Sequence, residues 1–344
     1  MAGVAFAVFA LYPYMKTELD QYLRRFLEHL EIEKNRSPLT LRNYSFYLGR
    51  FIEWLGRQGI KEPGKITSEH VRQYRLWLNR LTDASGELLK RNTQNYHLIA
   101  VRAWFKYLAK NDVEVLAPEK IELARQPDRH VEFLETDELE RLLAAPLENP
   151  KRKIQSAKHP SRVPGASYQA PVTALRDKAI LELLFSTGLR VSELAKLKID
   201  DVNLERDDFS VRGKGSKIRV VFLSDAARKW LGEYRKKRHD QSEYLFVGHH
   251  KKKKSEKEDK PLTPRSIQRI VEHYARAAGI TKAITPHTLR HTFATDLLRN
   301  GADLRSVQSL LGHSSITTTQ VYTHITDEHL KDVHKAFHGK RRSD

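Results

Sequence analysis

There is no cysteine anywhere in the chain. Disulfides, thiol nucleophiles and thiolate metal sites are therefore excluded outright, and a disulfide-free chain suits the cytoplasm. Long apolar runs are also missing. The most apolar stretch, MAGVAFAVFALYPY at residues 1–14, is too short to span a bilayer as a helix and lacks the basic flank of a secretory signal. Met15 follows at once and the amphipathic pattern starts there. Residues 1–14 thus read as a mis-assigned start or an appended leader, with a short extra helix as the alternative. Acidic residues are scarce beside basic ones, 43 against 61, for a formal net charge of +18. An excess that large points to a polyanionic partner, nucleic acid before others. Apolar residues make up 40% of 344 positions, enough for ordinary cores, and the length fits two domains.

From Lys16 to Asn111 the pattern is helical throughout. Leu19, Tyr22, Leu23, Phe26, Leu27 and Leu30 form one stripe at three-four spacing; Leu41, Tyr44, Leu48, Phe51, Ile52 and Leu55 form a second. TSEHVRQYRLWLNRL and RNTQNYHLIAVRAWFKYLAKND supply a third and a fourth helix, the third opening on a Ser/Thr cap followed by Glu69. Residues 15–116 therefore predict an all-α bundle of four helices. Its polar faces carry Arg42, Arg50, Arg72, Arg75, Arg91 and Arg102. Singly such residues are solvated surface charges; as a set they could line a duplex. Residues 117–131, with two prolines and no period, read as a linker.

A second domain, 132–344, is mostly helical with one small sheet. ETDELERLLAAP reads as a capped helix, followed by an exposed basic loop over 149–170 that has no acidic residue. TALRDKAILELLFSTG is an apolar helix closed by Gly188, and RVSELAKLKIDDV reads as the next helix. DDFSVRGKGSKIRVVFLS alternates about Gly213-Lys214-Gly215-Ser216 and predicts a β-hairpin. A second basic loop spans 249–260, and helices follow to the end.

The chemistry concentrates in TPHTLRH. Thr285 fits an N-cap and Pro286 the first helical position. His287 and Arg290 lie three apart and share a face, which is expected to point outward from a helix N-terminus, a natural anion site. His287 and His291 also have metal-ligand spacing, but the residue after His287 is Thr288 where a zincin carries its general-base glutamate, and no carboxylate lies nearby in sequence. A metal site is not expected. A second arginine, Arg190 in FSTGLRVSEL, stands at another helix start. Two arginines so placed resemble a clamp for a tetrahedral anion. Lys214 stands at the hairpin tip, a position where most lysines are simply solvated. His313 follows the break at Gly312, and Tyr322 lies in the polar run TTQVYTH without an apolar stripe to demand it.

TGLRVSEL, GKGSK, HTLRH, LLGH and VYTH, in this order, resemble the tyrosine recombinases, most nearly the Xer-like recombinases and phage-type integrases. The likeness runs over nearly the whole chain from Met15. It implies an N-terminal core-binding (SAM-like) domain, an α+β catalytic domain, and duplex DNA with a specific site as partner. It further implies that Tyr322 attacks the phosphodiester and is held as a 3′-phosphotyrosine. Arg190 and Arg290 would bind the non-bridging oxygens, His287 would assist proton transfer, Lys214 would protonate the leaving 5′-oxygen, and His313 would hydrogen-bond the phosphate. Glu193 matches the family's motif in a structural role. No metal, ATP or other cofactor and no membrane are implied. The family assembles as a tetramer on two DNA sites, with a C-terminal helix (here 326–338) donated to a neighbour or packed in cis; a paralogous recombinase or an activating partner is compatible with the sequence. Integration of a mobile element, type IB topoisomerase activity and non-catalytic DNA binding are the alternatives.

Overall fold

A computed structural model of the chain describes residues 17–83, 86–125, 132–156, 170–213, 217–249 and 260–312, with backbone alone at 149–156. They belong to two compact units, residues 1–128 and 129–344.

The N-terminal unit has four helices: α1 (Glu18–Ile32), α2 (Pro38–Arg57), α3 (Ser68–Arg80) and α4 (Arg91–Lys110). Three starts are fixed by side chains that satisfy orphan amides. Thr17 and Asp20 form a reciprocal box; Ser37 caps α2 with Pro38 behind it; Thr67 caps α3. The reciprocal partner at α3 is His70, whose Nδ1 accepts from the Thr67 amide at 3.1 Å. Glu69, which the sequence offers for that role, turns instead to Arg72.

Both predicted stripes face the core, with Tyr22 and Tyr44 half-buried at its rim. Phe51, Tyr74, Trp104 and Phe105 are fully enclosed, and the two phenylalanines each contribute about 1.5–3 kcal/mol by leaving water. The first part of the stretch read as a linker is docked here. Pro118–Lys120 forms one 3₁₀ turn, and Ile121 is completely buried. The Asn95 side chain then brackets Ala124, donating to its carbonyl at 2.9 Å and accepting from its amide at 3.1 Å. Residues 126–131 lie outside the described residues, as do 1–16 with the apolar leader.

The C-terminal unit is built around one helix. It contains α5 (Thr136–Ser156), α6 (Val172–Thr187), α7 (Val191–Leu194), β1 (Asp208–Arg212), β2 (Ile218–Phe222), α8 (Asp225–Lys237), α9 (Pro264–Ala277), α10 (Pro286–Arg299) and α11 (Leu304–Leu311). Of the sixteen residues of α6, twelve are buried, so apolar side chains point all round it. The charges it carries inward are paired: Arg176 with Asp177, Lys178 with Glu182. Helices α5, α8 and α10 pack about it. The hairpin β1–β2 is antiparallel, with Val211 opposite Arg219 and Phe209 opposite Val221.

Two elements depart from the sequence reading. Helix α5 does not stop at Pro146 but runs to Ser156. Pro146 is buried beside Ala145 and Leu142. It lacks the N–H that would bond to the Leu142 carbonyl, and one residue on Lys178 Nζ donates to the Leu143 carbonyl at 2.8 Å. The segment after Arg190 is helical only to Leu194, because the chain then pairs elsewhere: Leu245 N donates to Leu197 O and Ile199 N to Glu243 O. The remaining parts of the two basic loops, 157–169 and 250–259, lie outside the described residues. No helix among the described residues is long and apolar enough to cross a membrane.

Candidate active site

The site is assembled where the C-terminal ends of α6 and α11 meet the start of α10. Helix α6 stops at Gly188, whose φ of 58° is left-handed. A Cβ there would lie 2.5 Å from the Phe293 ring, so the position admits only glycine. The turn delivers Arg190 to the start of α7. Helix α10 begins on Thr285, which exchanges hydrogen bonds with Thr288 (amide of Thr288 to Thr285 Oγ1, 3.2 Å; amide of Thr285 to Thr288 Oγ1, 3.1 Å), and Pro286 occupies its first position.

From that helix His287 points out and is exposed, while Arg290 is buried at 4% exposure. The outward arginine expected at this helix start is thus turned inward. Its guanidinium donates to Gly188 O and, at 2.6 Å, to Leu311 O. Both acceptors are carbonyls at helix C-termini, which lack intrahelical partners and carry the negative end of the dipole.

Arg190 reaches the next carbonyl along. Its Nη2 donates to Gly312 O at 3.2 Å and its Nη1 to Glu193 Oε1 at 2.9 Å. A third guanidinium, Arg219 on β2, donates from Nε to Leu310 O at 3.1 Å and grips both oxygens of Glu193 at 3.0 and 2.8 Å. The carbonyls of residues 310, 311 and 312 are therefore each held by a different arginine. Burial works to raise the Glu193 carboxyl, but the Arg219 bonds, the Arg190 amide at 2.9 Å and the guanidinium charges outweigh it and hold it down at about 2. Glu193 stays ionised, and among the described residues it is the one carboxylate that these arginines are seen to share. Three guanidiniums to one carboxylate among the described residues is an arrangement suited to an anion.

Of the residues singled out from the sequence, Arg190 and Arg290 are brought together at adjacent carbonyls, with His287 on the first turn of the same helix as Arg290. Lys214, His313 and Tyr322 lie outside the described residues, as does the segment 326–338. Gly213 and Gly312, the residues before Lys214 and His313, both abut Arg219. Among the described residues no three His, Asp or Glu side chains cluster as metal ligands. Sequence reasoning overlooked Arg219. The signal was present in the strand period: in IRVVF, Arg219 falls on the same face as Val221, which is buried. In the N-terminal unit Arg42, Arg72, Arg91 and Arg102 are all exposed, Arg72 in a surface ion pair with Glu69.

Residues 164–329 match the phage integrase family, and residues 23–112 match the phage integrase N-terminal SAM-like domain. The chain is 32% identical over 331 residues to "Tyrosine recombinase XerD" of Listeria monocytogenes serotype 4b (strain F2365), covering 94% of this chain and all of that one. It is 34% identical over 331 residues to "Tyrosine recombinase XerC" of Bacillus subtilis (strain 168), covering 94% and 97%. Its fold is similar to the XerH site-specific recombinase solved on palindromic difH substrate in a post-cleavage complex, with a TM-score of 0.63 and 22% identity over 90% of this chain and 82% of that one. A lambda integrase (75–356) dimer bound to a COC′ core site has a similar fold, with a TM-score of 0.61 and 17% identity over 87% and 96%. The chain belongs to the phage integrase family of tyrosine recombinases. The enzyme class expected from the motifs, a tyrosine recombinase, is the class to which these curated relatives belong.

Proposed function

We propose that the protein is a site-specific DNA recombinase of the Xer type, acting in the cytoplasm to resolve chromosome or plasmid dimers. The observation that carries this reading is the convergence of Arg190 and Arg290 on neighbouring carbonyls, within a cluster that among the described residues holds three guanidiniums and one carboxylate. A tetrahedral phosphodiester offers the oxygens that two adjacent guanidiniums recognise. The formal charge of +18 favours duplex DNA as the substrate, with Arg42, Arg91 and Arg102 as exposed phosphate contacts in the N-terminal unit and Arg72 released from Glu69 as a fourth.

In this mechanism the Tyr322 hydroxyl attacks phosphorus. The bond to the 5′-oxygen breaks, and a 3′-phosphotyrosine forms. A phenol with an ordinary pKa near 10 needs help to act as a nucleophile at neutral pH. His287 takes part in removing its proton, and Lys214 supplies a proton to the departing 5′-oxygen. Arg190 and Arg290 bind the non-bridging oxygens and stabilise the charge that builds in the pentacoordinate state, with His313 as a further donor. The phosphotyrosine keeps the energy of the broken bond for religation, so neither ATP nor a metal is consumed or required. Exchange between two duplexes requires a tetramer. Val221, Phe222, Phe293, Leu297 and Leu310 line a cavity of about 290 Å³. It offers an apolar seat for Leu330, Val333 and Phe337 from the C-terminal segment of a neighbouring subunit.

The test is a nicked suicide duplex carrying a site selected from random DNA. The wild-type protein is expected to give a covalent DNA adduct on a denaturing gel, unchanged by chelator, and Tyr322→Phe to give none. An adduct that persists in Tyr322→Phe, or that chelator abolishes, overturns the mechanism.

A further inference from the structure

We propose that Arg219 is a positioning residue for strand cleavage: it orients Arg190 through Glu193 and fixes the two glycines that lead into Lys214 and His313. This rests on the recombinase reading above. Arg219 is not placed to bind substrate itself. All three of its guanidinium nitrogens already donate, Nε to Leu310 O and Nη1 and Nη2 to Glu193. A guanidinium has five donors in a rigid fork, so what remains is little and faces inward. Its contacts instead reach Glu193, the end of α11 and the two glycines Gly213 and Gly312.

The first link is Arg219–Glu193–Arg190. Glu193 Oε1 accepts from Arg219 Nη1 at 3.0 Å and from Arg190 Nη1 at 2.9 Å, while Oε2 accepts from Arg219 Nη2 at 2.8 Å and from the Arg190 amide at 2.9 Å. The carboxylate that sets both the backbone and the side chain of Arg190 is thus itself held in plane by Arg219. The second link is steric. A Cβ at Gly312 would lie 2.8 Å from Arg219 Cδ, and φ there is +64°. A Cβ at Gly213 would lie 3.2 Å from Glu193 Oε1 and 3.3 Å from Arg219 Nη1. Both chain segments run close against the same pair of side chains, one just before Lys214 and the other just before His313. The third link is the Leu310 carbonyl, which ties β2 to the end of α11 beside the carbonyls held by Arg290 and Arg190. Lysine can supply the charge of Arg219 but not this planar three-way grip.

The experiment compares wild type, Arg219→Lys, Arg219→Met and the double variant Glu193→Gln/Arg219→Met on the suicide duplex, in single turnover across pH, with duplex binding measured alongside. Arg219→Met is expected to bind the duplex within about twofold of wild type while cleaving it about 10- to 100-fold more slowly, the usual consequence of a reacting group displaced by a fraction of its length. The acid limb of its pH–rate profile should move to higher pH, because Glu193 loses the partner that contributes most to keeping it ionised. Arg219→Lys should recover part of the rate, and the double variant should show no acid shift. Should Arg219→Met fail to fold, Arg219→Lys carries the test, with a smaller loss and the same direction of shift. Cleavage at the wild-type rate overturns the proposal. So does a slowed variant whose pH profile stays in place and which lysine does not rescue, since that pattern marks a purely structural ion pair. Absence of any adduct with the wild-type protein marks failure of the recombinase reading instead, and this inference falls with it.

Discussion

Arg190 and Arg290 donate to consecutive peptide carbonyls, Arg190 to Gly312 O at 3.2 Å and Arg290 to Leu311 O at 2.6 Å. Their spacing is therefore set by two successive peptide planes that meet at Gly312, whose φ is +64°. Arg290→Lys keeps the charge but cannot reach both Gly188 O and Leu311 O. Strand cleavage should fall about 10²- to 10³-fold, with a much smaller loss of duplex binding. Single-turnover cleavage and a binding titration on the same duplex separate the two.

Gly188 combines a left-handed backbone with a close approach to Phe293. Gly188→Ala must strain the backbone and push the ring, so the C-terminal unit should lose about 2–4 kcal/mol. Gly279→Ala has a similar φ of +71° but nothing within 4 Å of its new Cβ, and it should lose only about 1 kcal/mol. Denaturant midpoints of the two variants measure the difference, and equal losses would show that the ring contact at Gly188 is unimportant.

Glu193 titrates at about 2 in the fold against an ordinary value of 4.5. Between those values the unfolded chain binds a proton that the folded chain refuses, so stability rises with pH in that window. Stabilisation by Glu193 is fully present above 4.5 and is lost as pH falls toward 2. Glu193→Gln should be less stable at neutral pH, where it leaves Arg219 and Arg190 without their counter-charge. It should also lose this part of the acid slope. Thermal melts of both proteins at several acid pH values report it.

Asn95 holds Ala124 through two hydrogen bonds, and it is buried. Asn95→Ala leaves the Ala124 amide and carbonyl without that partner and should destabilise the N-terminal unit by about 1–3 kcal/mol. Three of the four tryptophans, Trp54, Trp77 and Trp104, belong to this unit, so fluorescence-detected unfolding follows it directly.

The N-terminal bundle was legible because each helix buries one side. Three-four spacing alone picks out Leu23, Phe26, Leu48 and Leu55, and all four are in the core. The hairpin and the end of α6 were legible for similarly local reasons, the period of two in IRVVF and the glycine after SerThr at 186–187. What escaped depended on partners distant in sequence. The backbone beyond Leu194 leaves the helix to pair with residues 243–245, and α5 passes Pro146 with Lys178 bonded to the carbonyl of Leu143. Arg290 looked like a surface cation because Gly188 O and Leu311 O stand 102 and 21 residues away from it. The motif spacing brought Arg190 and Arg290 into one list, but it carried no sign that a third arginine on β2 binds the same helix end.

The hairpin register turns residue count into a parity rule. On β2 the even positions Ile218, Val220 and Phe222 face outward and the odd positions Arg219 and Val221 face inward, opposite Val211 and Phe209. One residue inserted between Lys217 and Arg219 would exchange the two sets. It would strip Glu193 and the end of α11 of their guanidinium and set an isoleucine or valine against them. Two inserted residues would restore the alternation. In this strand, the shorter lesion is the more damaging one.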